Sequence, residues 1–231
     1  MTDRAAPRNP DLFATYAPRE STARRAAPLS FVVRASILAD RDALADIAWK
    51  RNGGLLDDCV ARFERDLTNI GRPPDDLWLT ALIGARAVGY GKVAWIEPGR
   101  VAPSNHAPAG YYLGGVSVRP DFRRRGIGDE LTRRRLLWIA ERAAEAFYFV
   151  NAQNRASIDL HARFGFVELT RNFHIPGASF VGGVGILFRV DLTSYRGATE
   201  PSPQPSPGVP GEGGVRLLRR ALRLRTGCPL P

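Results

Sequence analysis

Cysteine is nearly missing from this sequence: Cys59 and Cys228 are the only two in 231 residues. They are too few and too far apart for a disulfide framework. Histidine is as scarce, and His106, His161 and His174 do not stand with thiols at ligand spacing, so no metal site is expected. No apolar run approaches the ~20 residues that a membrane-spanning helix needs. The first residues carry no apolar segment of the secretory kind, so the cytoplasm is the expected location. Acidic residues are also in deficit, 23 against 33 Lys and Arg, which leaves a formal charge of +10. What remains is ordinary globular composition, 44% hydrophobic and 24% charged, and the length suits one domain with appendages and a real core.

The basic excess is local. Residues 1–30 hold five Arg against three acids, a net of +2, and residues 194–231 hold six Arg against two Glu, a net of +4. Residues 119–135 hold seven Arg against Asp121, Asp129 and Glu130, another +4, and 10 − 2 − 4 − 4 leaves nothing for the rest. A nucleic-acid binder spreads its cations along a face. No specific nucleic acid and no stable membrane association are therefore expected.

Residues 1–30, rich in Ala, Arg and Pro without apolar period, read as a disordered basic arm. Residues 193–231 read as a Pro/Gly-rich linker and a basic tail, also disordered, around the low-complexity stretch 197–214. Between them, residues 31–192 alternate strand and helix patterns. Asp40 is placed to cap a helix that buries Leu44, Ile47 and Ala48. Leu56, Val60, Phe63, Leu67 and Ile70 make an amphipathic stripe. Strands are expected at 31–34, 77–83, 87–96, 111–118, 147–151, 167–173 and 185–192, with a hairpin turn at Gly84-Ala85-Arg86 and helices at 126–144 and 155–164. The predicted fold class is α/β (α+β): a single mixed, mostly antiparallel sheet flanked by helices.

One segment carries chemistry. Val116-Ser117-Val118 leads through Arg119-Pro120-Asp121-Phe122 into Arg123-Arg124-Arg125-Gly126-Ile127-Gly128, a strand feeding directly into a helix. Two glycines in a first helical turn cost roughly 1 kcal/mol each relative to Ala. They leave bare the unpaired N–H groups of a helix N-terminus, which suit a phosphate. The spacing is neither GxGxxG nor GxxxxGK[ST]. Arg123-x-x-Gly126-x-Gly128 after this strand resembles the acetyl-CoA signature of the GCN5-related N-acetyltransferases. A second segment, Asn151 through Phe166, resembles that family's later motif, an Asn opening a helix that ends in Gly-Phe. The resemblance spans residues 31–192 and covers neither arm.

The resemblance implies the acyl-CoA N-acyltransferase fold, with acetyl-CoA as co-substrate and no metal, lying where two parallel strands part. Val116, Ser117 and Val118 would offer backbone groups to pantetheine and the thioester carbonyl, while Arg123, Arg124, Arg125, Gly126, Ile127, Gly128 and Asp129 would cradle the pyrophosphate. Asn154 would touch the cofactor or simply cap its helix. His161 stands where the family often has Tyr, and is the candidate acid for the departing thiol if charged. It also reads as a packed core histidine. The general base stays unassigned: Phe149 and Gly114 occupy positions where relatives carry acids, and Glu97, His106, Tyr112 and His174 remain candidates.

The implied activity is direct transfer of acetyl to a primary amine of a small molecule, the partner expected here, with a homodimer left open. An aminoglycoside-like cation is favoured by the Leu160-His161 pair, the strand YYLGGVSV and the acids Asp57, Asp58, Glu64, Asp75 and Asp76. A protein N-terminal acetyltransferase is the alternative. So is a basic nucleic-acid or membrane adaptor with a non-catalytic CoA-binding core.

Overall fold

Near-continuous apolar runs at 77–83 and 87–96, and apolar residues recurring every three or four from 56 to 67, give two strands buried on both faces and a helix. The structure, a computed structural model, describes residues 29–69, 76–99, 103–180, 182 and 184–195. Ile70, Asp75, most of the amino-terminal arm and the chain from residue 196 onward, with its low-complexity linker and basic tail, lie outside the described residues. The strands are β1 (Val32–Ala35), β2 (Leu77–Ile83), β3 (Arg86–Ile96), β4 (Gly110–Val118), β5 (Glu145–Asn151), β6 (Val167–Thr170) and β7 (Gly185–Asp191). The helices are α1 (Arg41–Asn52), α2 (Leu56–Thr68), α3 (Ile127–Ala140) and α4 (Arg155–Ala162).

All seven strands form one mixed sheet in the order β1-β2-β3-β4-β5-β7-β6. Every neighbouring pair is antiparallel except β4 and β5. Because side chains alternate across a sheet, Trp78 and Tyr90 pack with Leu44, Ile47, Phe63 and Leu67 of α1 and α2 on one face. On the other, Leu79 and Val88 meet Ile127 and Leu131 of α3. Further along that second face Leu136 and Ile139 join Tyr148 and Phe188, with Ile158 of α4 against them.

The structure corrects several sequence expectations. Asp40 does precede α1, but its side chain caps nothing there. The carboxylate accepts two hydrogen bonds from Arg34 (2.6 and 2.7 Å), one from Ile37 N–H (2.9 Å) and one from Thr80 (3.2 Å). Burial pushes this carboxyl up, yet the donors together outweigh it and hold it below its ordinary value. Helix α3 stops at Ala140, because Ala144 is already committed to the sheet, its carbonyl accepting from Leu192 N–H at 2.7 Å. Strand β6 ends at Thr170, whose hydroxyl accepts from Asn172 N–H at 3.0 Å and turns the chain. At the other end of the domain, a 3-10 turn, Thr193–Tyr195, carries the ordered chain past residue 192, and Tyr195 packs on the core.

Candidate active site

The parallel pair opens almost as soon as it forms. Tyr112 and Phe147 are the only residues in register between β4 and β5, and beyond them the two strands part. On its other side β4 carries one residue more than β3, since Gly91 faces Val116 while Val93 faces Leu113. Such a bulge bends a strand and frees ladder groups. A side chain from α3 holds it. Arg135, fully buried, donates from one terminal nitrogen to Gly114 O (2.8 Å) and Lys92 O (3.2 Å). Its other nitrogens reach Leu131 O (3.0 Å) and the Thr132 hydroxyl (3.1 Å). A Cβ on Gly91 would sit 3.1 Å from the Arg135 Nε, so glycine makes the room. Burial pushes this guanidinium down to about 9, which still leaves it charged at neutral pH.

Beyond the bulge β4 runs through Val116, Ser117 and Val118 into the glycine turn. Arg124 and Gly126 both take left-handed conformations, φ 59° and 86°, and Arg124 is the only non-glycine with positive φ among the described residues. Alternating handedness of this kind turns successive N–H groups to one side as an anion nest. Gly126 is the N-cap of α3, and the first bond of the helix runs from Glu130 N–H to Gly126 O (3.0 Å). The N–H groups of Ile127, Gly128 and Asp129 precede it. A Cβ on Gly126 would enter open space. Ile127 is buried beneath the turn and anchors it.

Helix α4 flanks this turn. Leu160 lies 3.6 Å from where a Cβ on Gly128 would be, and Arg163 pairs with Asp129. Asn154 is the N-cap of α4, its side chain accepting from Ser157 N–H at 3.2 Å. Val116 to Val118 and Arg123 to Asp129 therefore follow one another from the opening into the N-terminus of α3, with Leu160 and Arg163 of α4 beside that N-terminus and Asn154 at the opposite end of α4. The nest, its bare glycine and the parted backbone of β4 fit a pyrophosphate followed by an extended pantetheine arm.

His161 faces elsewhere. It is 3% exposed, stacked on Tyr148 at 4.0 Å and edge-on to Phe166 at 5.4 Å. Its Nδ1 donates to Ser157 O at 2.8 Å, leaving Nε2 buried with no hydrogen-bond partner. Burial first, then the charge of Arg135, pushes the imidazole down to about 3. The charged proton donor anticipated from sequence is thus disfavoured here. Among the candidate bases, Tyr112 donates to Pro108 O at 2.7 Å and burial raises its pKa, so it stays protonated. His106 and His174 are exposed, and their backbones bridge two loops. Glu97 is also exposed. No cluster of three or more His, Cys, Asp or Glu able to hold a metal occurs among the described residues.

Two arginines meet the end of β4. Arg51, from the last turn of α1, donates to Ser117 Oγ (2.7 Å) and Val116 O (3.2 Å). Arg123 donates to Val118 O at 3.0 Å. Four other arginines of 119–135 are engaged by the protein itself. Arg119 pairs with Asp46, Arg133 and Arg134 share Glu130, and Arg135 lies under the bulge. Arg51 and Arg135 were missed in sequence. Arg135 had a signal, standing four residues from both Leu131 and Ile139 on the apolar stripe of its helix.

A family model described as the acetyltransferase (GNAT) family matches residues 41–166, more than half of the chain. The chain belongs to the GNAT acetyltransferase family. Solved GNAT structures share its fold. An acetyltransferase from Streptococcus pneumoniae is 15% identical, with a TM-score of 0.53 over 70% of this chain and 99% of that one. A ribosomal-protein-alanine N-acetyltransferase from Brucella melitensis is 23% identical, with a TM-score of 0.54 over 69% and 99%. The PaiA N-acetyltransferase from Thermoplasma acidophilum, solved in complex with coenzyme A, is 16% identical, with a TM-score of 0.50 over 71% and 99%. A search of curated proteins found no match. GNAT acetyltransferases use acetyl-CoA, and the motif that resembled the family in sequence is the turn that leads from β4 into α3.

Proposed function

We propose that this protein transfers the acetyl group of acetyl-CoA to the primary amine of a small molecule by direct attack. The observation that carries the reading is the parting of β4 from β5 after a single registered pair, directly upstream of a helix N-terminus led by glycine. Acetyl-CoA supplies a thioester whose thiol leaves. The chain's own work is to hold the thioester along Val116 to Val118 and present a backbone N–H to its carbonyl oxygen, the electrostatic device of acyl transfer. Arg123 to Asp129 receive the diphosphate on main-chain N–H groups and positive charge. Asn154 serves as cap of α4 and as neighbour of the cofactor. Juxtaposition of amine and thioester in one opening supplies much of the rate. His161, neutral and enclosed, fixes α4 against β5 in this reading; as the nitrogen–carbon bond forms and the carbon–sulfur bond breaks, solvent takes the proton from the amine and supplies one to the leaving thiolate.

A second reading, acetylation of a protein N-terminus, is favoured by the named substrate of the Brucella relative. Thiol release by the purified full chain with acetyl-CoA, measured across small amines and an alanyl-terminal peptide, separates the two. Small-amine turnover supports the first; turnover confined to the peptide overturns it. Gly126→Glu is expected to weaken acetyl-CoA binding at least about a hundredfold, since an anion facing an anion costs several kcal/mol. Unchanged affinity in calorimetry would remove the diphosphate assignment.

A further inference from the structure

The acceptor side of the opening has a chemistry of its own. Both helix N-termini that suit the cofactor, those of α3 and α4, cover one face of the sheet. An amine that reaches the thioester from outside must come from the opposite face, where α1 and α2 pack and where Tyr112 and Phe147 face the loops holding Ala107 and Ile175.

The two lips of that approach differ. On β4, Gly114 and Gly115 carry no side chains, and a Cβ on Gly115 would lie 3.8 Å from an Arg51 terminal nitrogen. Arg51 is half-buried, its hydrogen bonds use that one nitrogen, and no carboxylate stands within ion-pair reach of it among the described residues. The neighbouring charge is of like sign: burial and Arg51 together lower the pKa of Arg123. On β5, Phe149 comes two residues after the last registered pair. It is half-buried and packs with two further half-buried rings, Phe173 at 6.4 Å and Phe180 at 6.0 Å, themselves 5.6 Å apart. Two of the acids that suggested a polycation, Glu64 and Asp76, are engaged elsewhere. Glu64 pairs with Arg41, and Asp76 and Asp66 with Lys92.

Resting on the acetyltransferase reading, we infer that the acceptor is a free amine bearing a carboxylate and a large apolar group, that is, an α-amino acid with an aromatic or comparably bulky side chain. Arg51 takes the carboxylate as its missing counter-ion, with the fork geometry that suits a planar anion. Phe149, Phe173 and Phe180 take the apolar group, and bare Gly114 and Gly115 leave space for the amine between them.

The test uses the full chain, acetyl-CoA and five acceptors: phenylalanine, phenylalaninamide, alanine, kanamycin and an alanyl-terminal peptide. Phenylalanine is expected to exceed each of the others in kcat/KM by at least about tenfold, the scale of losing one buried apolar or charged contact. Phe149→Ala is expected to bring phenylalanine and alanine to within about threefold of each other. Arg51→Met is expected to do the same for phenylalanine and phenylalaninamide, and Arg51→Lys to restore part of that preference. Acetyl-CoA affinity, measured separately by calorimetry, reports on the fold and the cofactor site. Equal or better turnover of kanamycin, phenylalaninamide or the peptide overturns the inference, as does survival of either preference in its variant. Binding of acetyl-CoA without acetylation of phenylalanine overturns it too. Failure to bind acetyl-CoA and to release thiol with any amine overturns instead the reading on which it rests.

Discussion

His161 shows how far a residue's environment can change its chemistry. An imidazole in water is half charged near pH 6.5. Enclosed by Tyr148 and Phe166 and facing the field of Arg135, this one is pushed down to about 3. The unfolded chain therefore binds a proton below pH 6.5 that the folded chain refuses. The stability contributed by the neutral ring is complete above pH 6.5 and is lost as pH falls towards 3. Between pH 7 and pH 5 this amounts to about 2 kcal/mol. Urea denaturation at the two pH values is expected to show that loss in the wild type and not in His161→Phe. Turnover in the same variant is expected to stay within about threefold of wild type, because neither ring carries a transferable proton at neutral pH. A collapse of turnover with normal acetyl-CoA affinity would restore His161 as the proton donor.

At the scale of the element, the opening is made by β4 and kept by α3. The bulge between Leu113 and Val116 turns β4 from the direction β5 follows, and the guanidinium of Arg135 satisfies the carbonyls of Gly114 and Lys92. Replacing Arg135 with Leu would relieve a buried charge but leave two carbonyls without a donor. The second effect is the larger, and a net loss of about 2 kcal/mol in stability is expected by denaturant titration. Acetyl-CoA affinity is expected to fall as well, as the β4 lip loses its fixed course. Stability and affinity both equal to wild type would show that the bulge needs no support from α3. Part of this was readable in sequence: Gly126-x-Gly128 after a strand marks a bare turn at a helix N-terminus. The bulge was not, because an extra residue on one strand is defined only against the register of its neighbour. Arg135 counts in sequence only towards the charge of residues 119–135, although Leu131 and Ile139, four residues on either side, set it on the buried face.

For the whole molecule the question is what the charge of +10 does. The fold pairs Arg34, Arg119, Arg133, Arg134 and Arg163 with carboxylates, and uses Arg135 internally. Arg51 and Arg123 at the end of β4, with Arg124 and Arg125 in the turn after it, are the charge nearest the site. Among the described residues no helix is long and apolar enough to cross a membrane. Removing residues 197–231 takes away five Arg and two Glu, a net of +3. Acetyl transfer by the truncated chain is expected to stay within about twofold of the full chain, since all seven strands, the four helices and the family match at residues 41–166 lie before the removed segment. Loss of transfer would assign the tail to catalysis. Sequence alone determined the order of strands and helices, the glycine turn at the start of α3 and the family, because periodicity, glycine conformation and helix-end chemistry are local properties of the chain. Only the tertiary structure decided that β4 parts from β5 after Tyr112, that His161 is a neutral core residue, and that Arg51 binds the end of β4 while Phe149 of β5 packs with Phe173 and Phe180. Those facts depend on register, burial and field, which arise between segments distant in sequence and exist only once the sheet is assembled.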